Sequence, residues 1–224
     1  MAEAEDLKGS ILQRDRDTYA IVPRIPAGVL TPENLENIAN VVRTYRIPVI
    51  KITSGHRLAL VGIKKDEIDS VWRDLDMDIG RATELCFHYI QACPGTDLCR
   101  YGVQDSLGLG IDFEKRFYDM KFPAKLKIGV SGCPFCCGES YLRDIGVVGK
   151  KKGWTLIFGG NSGRKPRIGD VLAEDLEKDV LIKMTEKLLI YYRDNAKKRE
   201  RTAQFADRIG IDDLKKVATT YQAT

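Results

Sequence analysis

All six cysteines of the chain, Cys86, Cys93, Cys99, Cys133, Cys136 and Cys137, lie within one window of 52 residues. They form two tight groups, Cys93-Pro-Gly-Thr-Asp-Leu-Cys99 and Cys133-Pro-Phe-Cys136-Cys137-Gly. In a reducing cell such clustering suits metal binding or redox work better than structural disulfides. Buried free thiols, the other reading, fit one isolated cysteine better than two groups flanked by Gly and Pro. Four thiolates are the ligand set of an iron–sulfur cluster and of structural zinc alike. Zinc pairs are usually separated by about two to four residues. The first pair here is separated by five. Glycine beside cysteine lets the backbone bend around a bulky core and turn N–H groups toward its sulfurs. The spacing therefore favours a cluster over zinc.

Lys125 and Lys127 flank Leu126 in a segment that reads as a strand, AKLKIGVSG, so both point to one face. Two ammonium groups on one face suit an anionic substrate, and each can deliver a proton. A solvated strand face is the alternative for such a pair. His56 and His88 are the only histidines. Either is a hydrogen-bonded pocket residue, a proton donor or a metal ligand.

The elements that must position these groups follow from local pattern. Residues 1–17 are polar and read as a tail or edge segment. TYAIVPRI alternates as a strand. Thr31 and Pro32 open a helix, as N-cap and first helical residue, with Leu35, Ile38, Val41 and Val42 at helical spacing. PVIKITSG and RLALVGI read as strands, and KKDEIDSVWRDLDM as an amphipathic helix. This strand–helix–strand–strand–helix order predicts a ferredoxin-like unit over 18–79. A second unit, 80–224, is expected to hold both cysteine groups. ATELCFHYIQAC leads into the first as a strand or short helix, and AKLKIGVSG leads into the second. DSLGLGIDFEKRFYDM contains a helix between them. DIGVVG and GWTLIFGG read as strands and GGNSGRKPRIGD as a basic loop. From Asp175 onward the pattern is helical, with a break at Gly210. The fold class expected is α+β: a ferredoxin-like unit, then an α/β unit with C-terminal helices.

The two cysteine groups resemble the C-x5-C and C-x3-C signature of the sulfite and nitrite reductase family, whose members couple siroheme to a 4Fe–4S cluster. The resemblance covers roughly residues 18–213 and is strongest toward the small assimilatory-type members. It implies cluster ligands Cys93, Cys99, Cys133 and Cys137, because 133 to 137 gives the x3 spacing, with Cys137 shared with the siroheme iron. Lys51-Ile-Thr53-Ser-Gly-His56 resembles the family strand that lies under siroheme. Pro123-Ala-Lys125-Leu-Lys127-Ile128 resembles the strand before the second cysteine pair and implies that its lysines touch substrate. RDIGVVG and Gly159-Gly160-Asn161 resemble later cofactor-lining segments. His56 and His88 each sit in a segment of this kind, which makes them candidates near the substrate face of siroheme or on its iron. Siroheme carries eight carboxylates, so Arg57, Arg100, Arg164, Lys165 and Arg167 become candidates to pair with them, with Lys51 and Thr53 beside them. Gly55 and His88 stand where the family often has Arg, and Cys136 is an added thiol. Many members carry two copies of this unit, and this chain has room for one. A second subunit, hence a homo-oligomer, is expected to complete the pocket.

Six-electron reduction of sulfite, or of nitrite, is the reaction implied. The alternatives are an iron–sulfur electron-transfer protein without siroheme and a zinc-stabilised interaction module. GVVGKKKG does not fit a dinucleotide fingerprint, so electrons are expected from a separate ferredoxin-like or flavin donor. With 36 Lys and Arg against 32 Asp and Glu, the charge of +4 is too weak to argue for nucleic acid. The start, MAEAEDLKGS, has no basic region followed by an apolar stretch, and no apolar run is long enough to cross a membrane. A cytoplasmic protein is expected.

Overall fold

The structure, a computed structural model, describes residues 9–220. These divide into two compact units, with the boundary between Glu84 and Leu85. The sequence places that boundary near residue 80. Gly80 belongs with the first unit because its backbone lies against Val22, where an added Cβ would stand 2.0 Å from the carbonyl oxygen.

The first unit runs β1 (Ser10–Leu12), β2 (Thr18–Ile21), α1 (Pro32–Thr44), β3 (Val49–Ile52), β4 (Leu58–Lys64) and α2 (Ile68–Leu75). Its antiparallel sheet has the order β1-β2-β4-β3. The expected order is all present, and β1 is an edge strand inside the segment read as a tail or edge segment. The rest of that tail, residues 1–8, lies outside the described residues. Helix α1 starts where the residues require. The Thr31 hydroxyl accepts from the Asn34 N–H at 3.2 Å, and the Asn34 side chain accepts from the Thr31 N–H at 3.2 Å. Thr31→Ala removes half of this box and is expected to cost about 1 kcal/mol. Thermal unfolding should show it as a drop of about 2–4 °C. Ile38 and Val41 of α1 join Ile21, Leu60, Val71, Trp72 and Leu75 in one core. The Asn37 side chain donates to the Leu75 carbonyl at 2.5 Å and ties α1 to the end of α2.

The second unit runs β5 (Phe87–Ala92), α3 (Ser106–Phe117), β6 (Leu126–Ser131), β7 (Ile145–Lys150), β8 (Gly153–Phe158), β9 (Asp170–Leu176), α4 (Lys178–Asn195), α5 (Thr202–Ile209) and α6 (Ile211–Thr219). The sheet order is β5-β6-β7-β8-β9, parallel from β5 to β7 and antiparallel from β7 to β9. The segment leading into the first cysteine group is a strand, Phe87–Ala92, not a helix. Strand β9 corrects the helical reading from Asp175 onward: α4 starts only at Lys178, because Asp170–Leu176 pairs along β8. Gly210, at φ +90°, separates α5 from α6 as expected. Leu109, Phe113 and Phe117 of α3 and Leu188 and Tyr192 of α4 are buried with the apolar residues of β6 to β8.

The cysteine loops and their cationic surroundings

Parallel strands end at the same edge of a sheet, the usual place for a ligand in an open α/β sheet. That rule brings the two cysteine groups together. Cys93 directly follows β5, and Cys133 lies two residues past β6. The Cys93 N–H donates to the Val130 carbonyl at 3.0 Å, extending the β5–β6 ladder into the first loop. A 3-10 turn at Gly95–Asp97 follows, and the Cys99 N–H closes it on the Gly95 carbonyl at 2.9 Å. The chain then returns to the second loop, where Val103 and Gln104 both donate to the Gly132 carbonyl, at 2.9 and 3.1 Å.

Glycine makes this interlock possible. An added Cβ on Gly132 would lie 2.7 Å from the Gln104 carbonyl oxygen and 2.9 Å from the Gly95 Cα. Gly95 itself has φ +68° and presses on the Ser106 backbone. The Gly132 N–H points at the Cys93 sulfur at 3.1 Å, and the Ser106 hydroxyl lies 3.1 Å from the same sulfur. That hydroxyl also donates to the Cys93 carbonyl at 2.8 Å. An N–H aimed at a cysteine sulfur raises the potential of a cluster bound there. Ser106→Ala removes the bond to the Cys93 carbonyl and is expected to cost about 1 kcal/mol of stability, which thermal unfolding reads.

The second loop turns at Cys136, which has φ +58° and donates its N–H to the Cys133 carbonyl at 3.1 Å. The Gly138 N–H then bonds the Ser131 hydroxyl at 2.9 Å, and Ser131 and Ser140, both fully buried, share a bond of 2.8 Å. All six cysteines are free thiols, with Cys133 and Cys86 buried and Cys137 exposed. Cys86 lies in the strand core and directs its thiol at the Phe87 carbonyl. Among the described residues, no three His, Cys, Asp or Glu side chains converge as ligands of a single metal ion. A tetrahedral zinc needs its sulfurs about 3.8 Å apart. A four-iron core takes one sulfur at each iron, so its ligands need not meet at a point. The donor set, the interlocked glycine backbones and the N–H directed at Cys93 fit such a core.

Lys125 and Lys127 are half-buried with Leu126 fully buried between them, the alternation expected of a strand. Lys127 holds its ammonium 5.6 Å from the Tyr89 ring. Its pKa is pushed down, first by burial, then by Arg201, with Asp144 opposing and Arg143 and Lys125 adding to the fall. Lys127 stands near the start of β6 and Cys133 beyond its end, six residues or at most roughly 20 Å of backbone away. RDIGVVG, read from the sequence as a cofactor-lining segment, opens with two residues whose individual roles the sequence does not show. Arg143, 4% exposed, reaches the Gln91 side-chain oxygen at 2.5 Å, the Ser162 hydroxyl at 2.9 Å and the Glu139 carboxylate. Asp144, 1% exposed, is held by Arg201 and Thr202.

The remaining candidates separate by environment. Arg167 bonds Asp170 at 2.6 Å and Asp207 at 2.8 Å, so its guanidinium already serves two carboxylates of its own chain. Asn161 folds its loop by bonding the Lys165 carbonyl and the Gly163 N–H. Gly159 and Gly160 admit close backbone approach, Gly160 with 2.5 Å from an added Cβ to the Arg143 carbonyl oxygen. Arg164 and Lys165 are exposed and line a cavity of about 590 Å³ with Arg201 and Gln204. Arg100 is exposed over the Tyr101 ring, whose edge meets Phe135. His88 lies on β5, its ring 5.6 Å from that of Tyr89. In the first unit, Lys51 lies on the exposed edge strand β3 and donates to its neighbour's carbonyl. Thr53, His56 and Arg57 form the β3–β4 turn, where the Thr53 hydroxyl accepts from the Arg57 N–H at 3.2 Å. His56 is exposed at φ +57°, against Gly28, and Arg57 is buried.

Comparison with known proteins agrees with this geometry. Residues 86–223 match the nitrite and sulphite reductase 4Fe-4S domain, and residues 11–78 match the nitrite/sulfite reductase ferredoxin-like half domain. An assimilatory-type sulfite reductase of Nitratidesulfovibrio vulgaris is 58% identical, over 95% of this chain and 97% of that protein. A nitrite reductase [NAD(P)H] of Bacillus subtilis is 41% identical over 92% of this chain, which spans 26% of that protein. The fold also matches the solved structure of a dissimilatory sulfite reductase I at a TM-score of 0.78 and 15% identity, over 92% of this chain and 70% of the other.

Proposed function

The chain belongs to the nitrite and sulphite reductase family, and on that premise we propose that it carries out the six-electron reduction of sulfite to sulfide, with nitrite as a second substrate. The observation that carries the reading is the interlock of two cysteine loops at the shared ends of β5 and β6, with an N–H and a hydroxyl turned to Cys93. Cys93, Cys99, Cys133 and Cys137 would hold a 4Fe–4S cluster, with Cys137 the ligand that would couple it to siroheme. Bound together, the two groups supply an electron store beside a metal that holds the reacting atom.

The protein's own share is positioning, charge and protons. Arg100, Arg164 and Lys165 are exposed cations suited to carboxylates, and Lys51, Thr53 and Arg57 are retained for the same task on the first unit. Gly159, Gly160 and Asn161 shape the loop that carries Arg164. Lys125 and Lys127 hold positive charge toward the anionic reactant, and burial lowers the pKa of Lys127, which suits it to give up a proton. His56 and His88 remain candidate donors. The length of β6 between lysines and cysteines supports a second reading, in which the lysine pair meets outlying carboxylates of siroheme. Lys127→Met separates the two: a raised KM for sulfite with siroheme retained supports substrate contact, and lost siroheme supports the second.

Electrons come from a separate ferredoxin-like or flavin donor. GVVGKKKG forms the hairpin between β7 and β8 rather than a strand-to-helix turn. The homo-oligomer expected of a single-copy chain is supported by edge strand β3, which leaves Val49, Ile50 and Ile52 exposed. No helix among the described residues is long and apolar enough to cross a membrane. We place the protein in the cytoplasm. The test is an anaerobic assay with a reduced dye, following sulfide from sulfite and ammonia from nitrite. Six electrons consumed per product supports the proposal. A siroheme-loaded enzyme that reduces neither anion contradicts it.

A further inference from the structure

We infer that Asp144 is a positioning residue that holds the Lys127 backbone in register through a carboxylate shared with the first turn of α5. The inference rests on the reading above only in taking Lys127 to meet an anion. One oxygen of the buried carboxylate accepts the Lys127 backbone N–H at 2.9 Å and an Arg201 nitrogen at 2.7 Å. The other accepts from the Thr202 hydroxyl at 2.6 Å and from Arg201 at 2.9 Å. The backbone carbonyl of Asp144 takes the Gly159 N–H at 2.9 Å. One residue thus joins β6, α5 and the end of β8.

The charges around Lys127 give this joint a second consequence. Lys125 faces it from the segment before β6, Arg143 from the segment before β7, and Arg201 from the start of α5, with Tyr89 beneath it on β5. Tyr192 of α4 faces Asp144 and Arg201, and burial first, then Asp144, keeps its phenol protonated. Among the influences on Lys127, Asp144 is the one that favours the ammonium against burial and three cations. Replacing the carboxylate by an amide of the same shape keeps an oxygen acceptor and removes that charge. The ammonium must then release its proton at lower pH. Anion binding or proton delivery by Lys127 requires the charged form, so the alkaline limb of activity must move down with it.

The test uses the anaerobic holoenzyme and brief pulses of acetic anhydride from about pH 7 to about pH 11, a range spanning ordinary and lowered lysine pKa values. Mass spectrometry follows acetylation of Lys127 against the exposed Lys151 and Lys152. The pH midpoint of labelling reports the ammonium itself and does not depend on accessibility. Asp144→Asn is expected to lower the Lys127 midpoint by about one pH unit, with the alkaline limb of sulfite turnover moving alike. Asp144→Glu should restore most of the midpoint. Arg201→Gln, which removes an opposing cation, should raise it, and it serves if Asp144→Asn fails to fold. Midpoints unmoved in folded variants overturn the inference. Full sulfite turnover by Lys127→Met, with midpoints still moving, would sink the anion reading and leave the positioning role intact.

Discussion

Cys137→Ser will abolish sulfite and nitrite reduction, whereas Cys136→Ala, one residue away, will leave a reductase with its cluster in place. The expected loss at Cys137 is to background, roughly a thousand-fold or more, because the hard chemistry belongs to the bound groups. The contrast arises from the turn that separates the two thiols. Cys136 sits at φ +58°, where its N–H closes back on Cys133, while Cys137 is exposed at the end of the loop. Cys133→Ser and Cys99→Ala should behave like Cys137→Ser. Cys86→Ala removes a buried thiol directed at strand backbone, and should lower stability by about 1 kcal/mol without touching the cluster. Iron and acid-labile sulfide counts on the purified variants check each case. A Cys136→Ala protein without cluster, beside a Cys137→Ser protein with one, would reverse the ligand assignment.

Gly132→Ala is expected to cost about 1–3 kcal/mol, as overpacking does, and to lower cluster content far more than stability. The added methyl meets backbone, the Gln104 carbonyl oxygen at 2.7 Å and the Gly95 Cα at 2.9 Å, and neither can swing away as a side chain would. Relief requires the two cysteine loops to part. Parting them withdraws the Gly132 N–H from Cys93 and the Gly132 carbonyl from Val103 and Gln104. Thermal unfolding and iron content, measured together, separate this from simple destabilisation. Thr31→Ala is the control, since it weakens the first unit by a similar amount and should leave iron content unchanged.

The cysteine spacing, the alternation of Lys125, Leu126 and Lys127, and the Thr31-Pro32 helix start are local signals, and each is legible in the sequence. Strand β9 is not, because Asp-Val-Leu-Ala-Glu-Asp-Leu alternates poorly and forms an outer strand whose charged residues face solvent. Strand β1 is hidden for a similar reason: three residues at a sheet edge carry too little pattern. The role of Gly132 depends on Gly95 and Gln104, and that of Asp144 on Arg201, 57 residues away. Such partners meet only in the folded chain. Arg167 shows the converse. Its place in a basic loop suggests a carboxylate ligand, and the carboxylates it holds are Asp170 and Asp207.

The most direct test of the central claim, a cluster on the four cysteines coupled to siroheme, is an anaerobic absorption spectrum with iron and acid-labile sulfide counts on protein produced with a siroheme supply. The account predicts a Soret-like band, a red band and about five irons per chain, four in the cluster and one in siroheme. Zinc in place of iron, or about four irons with no tetrapyrrole bands, would contradict it.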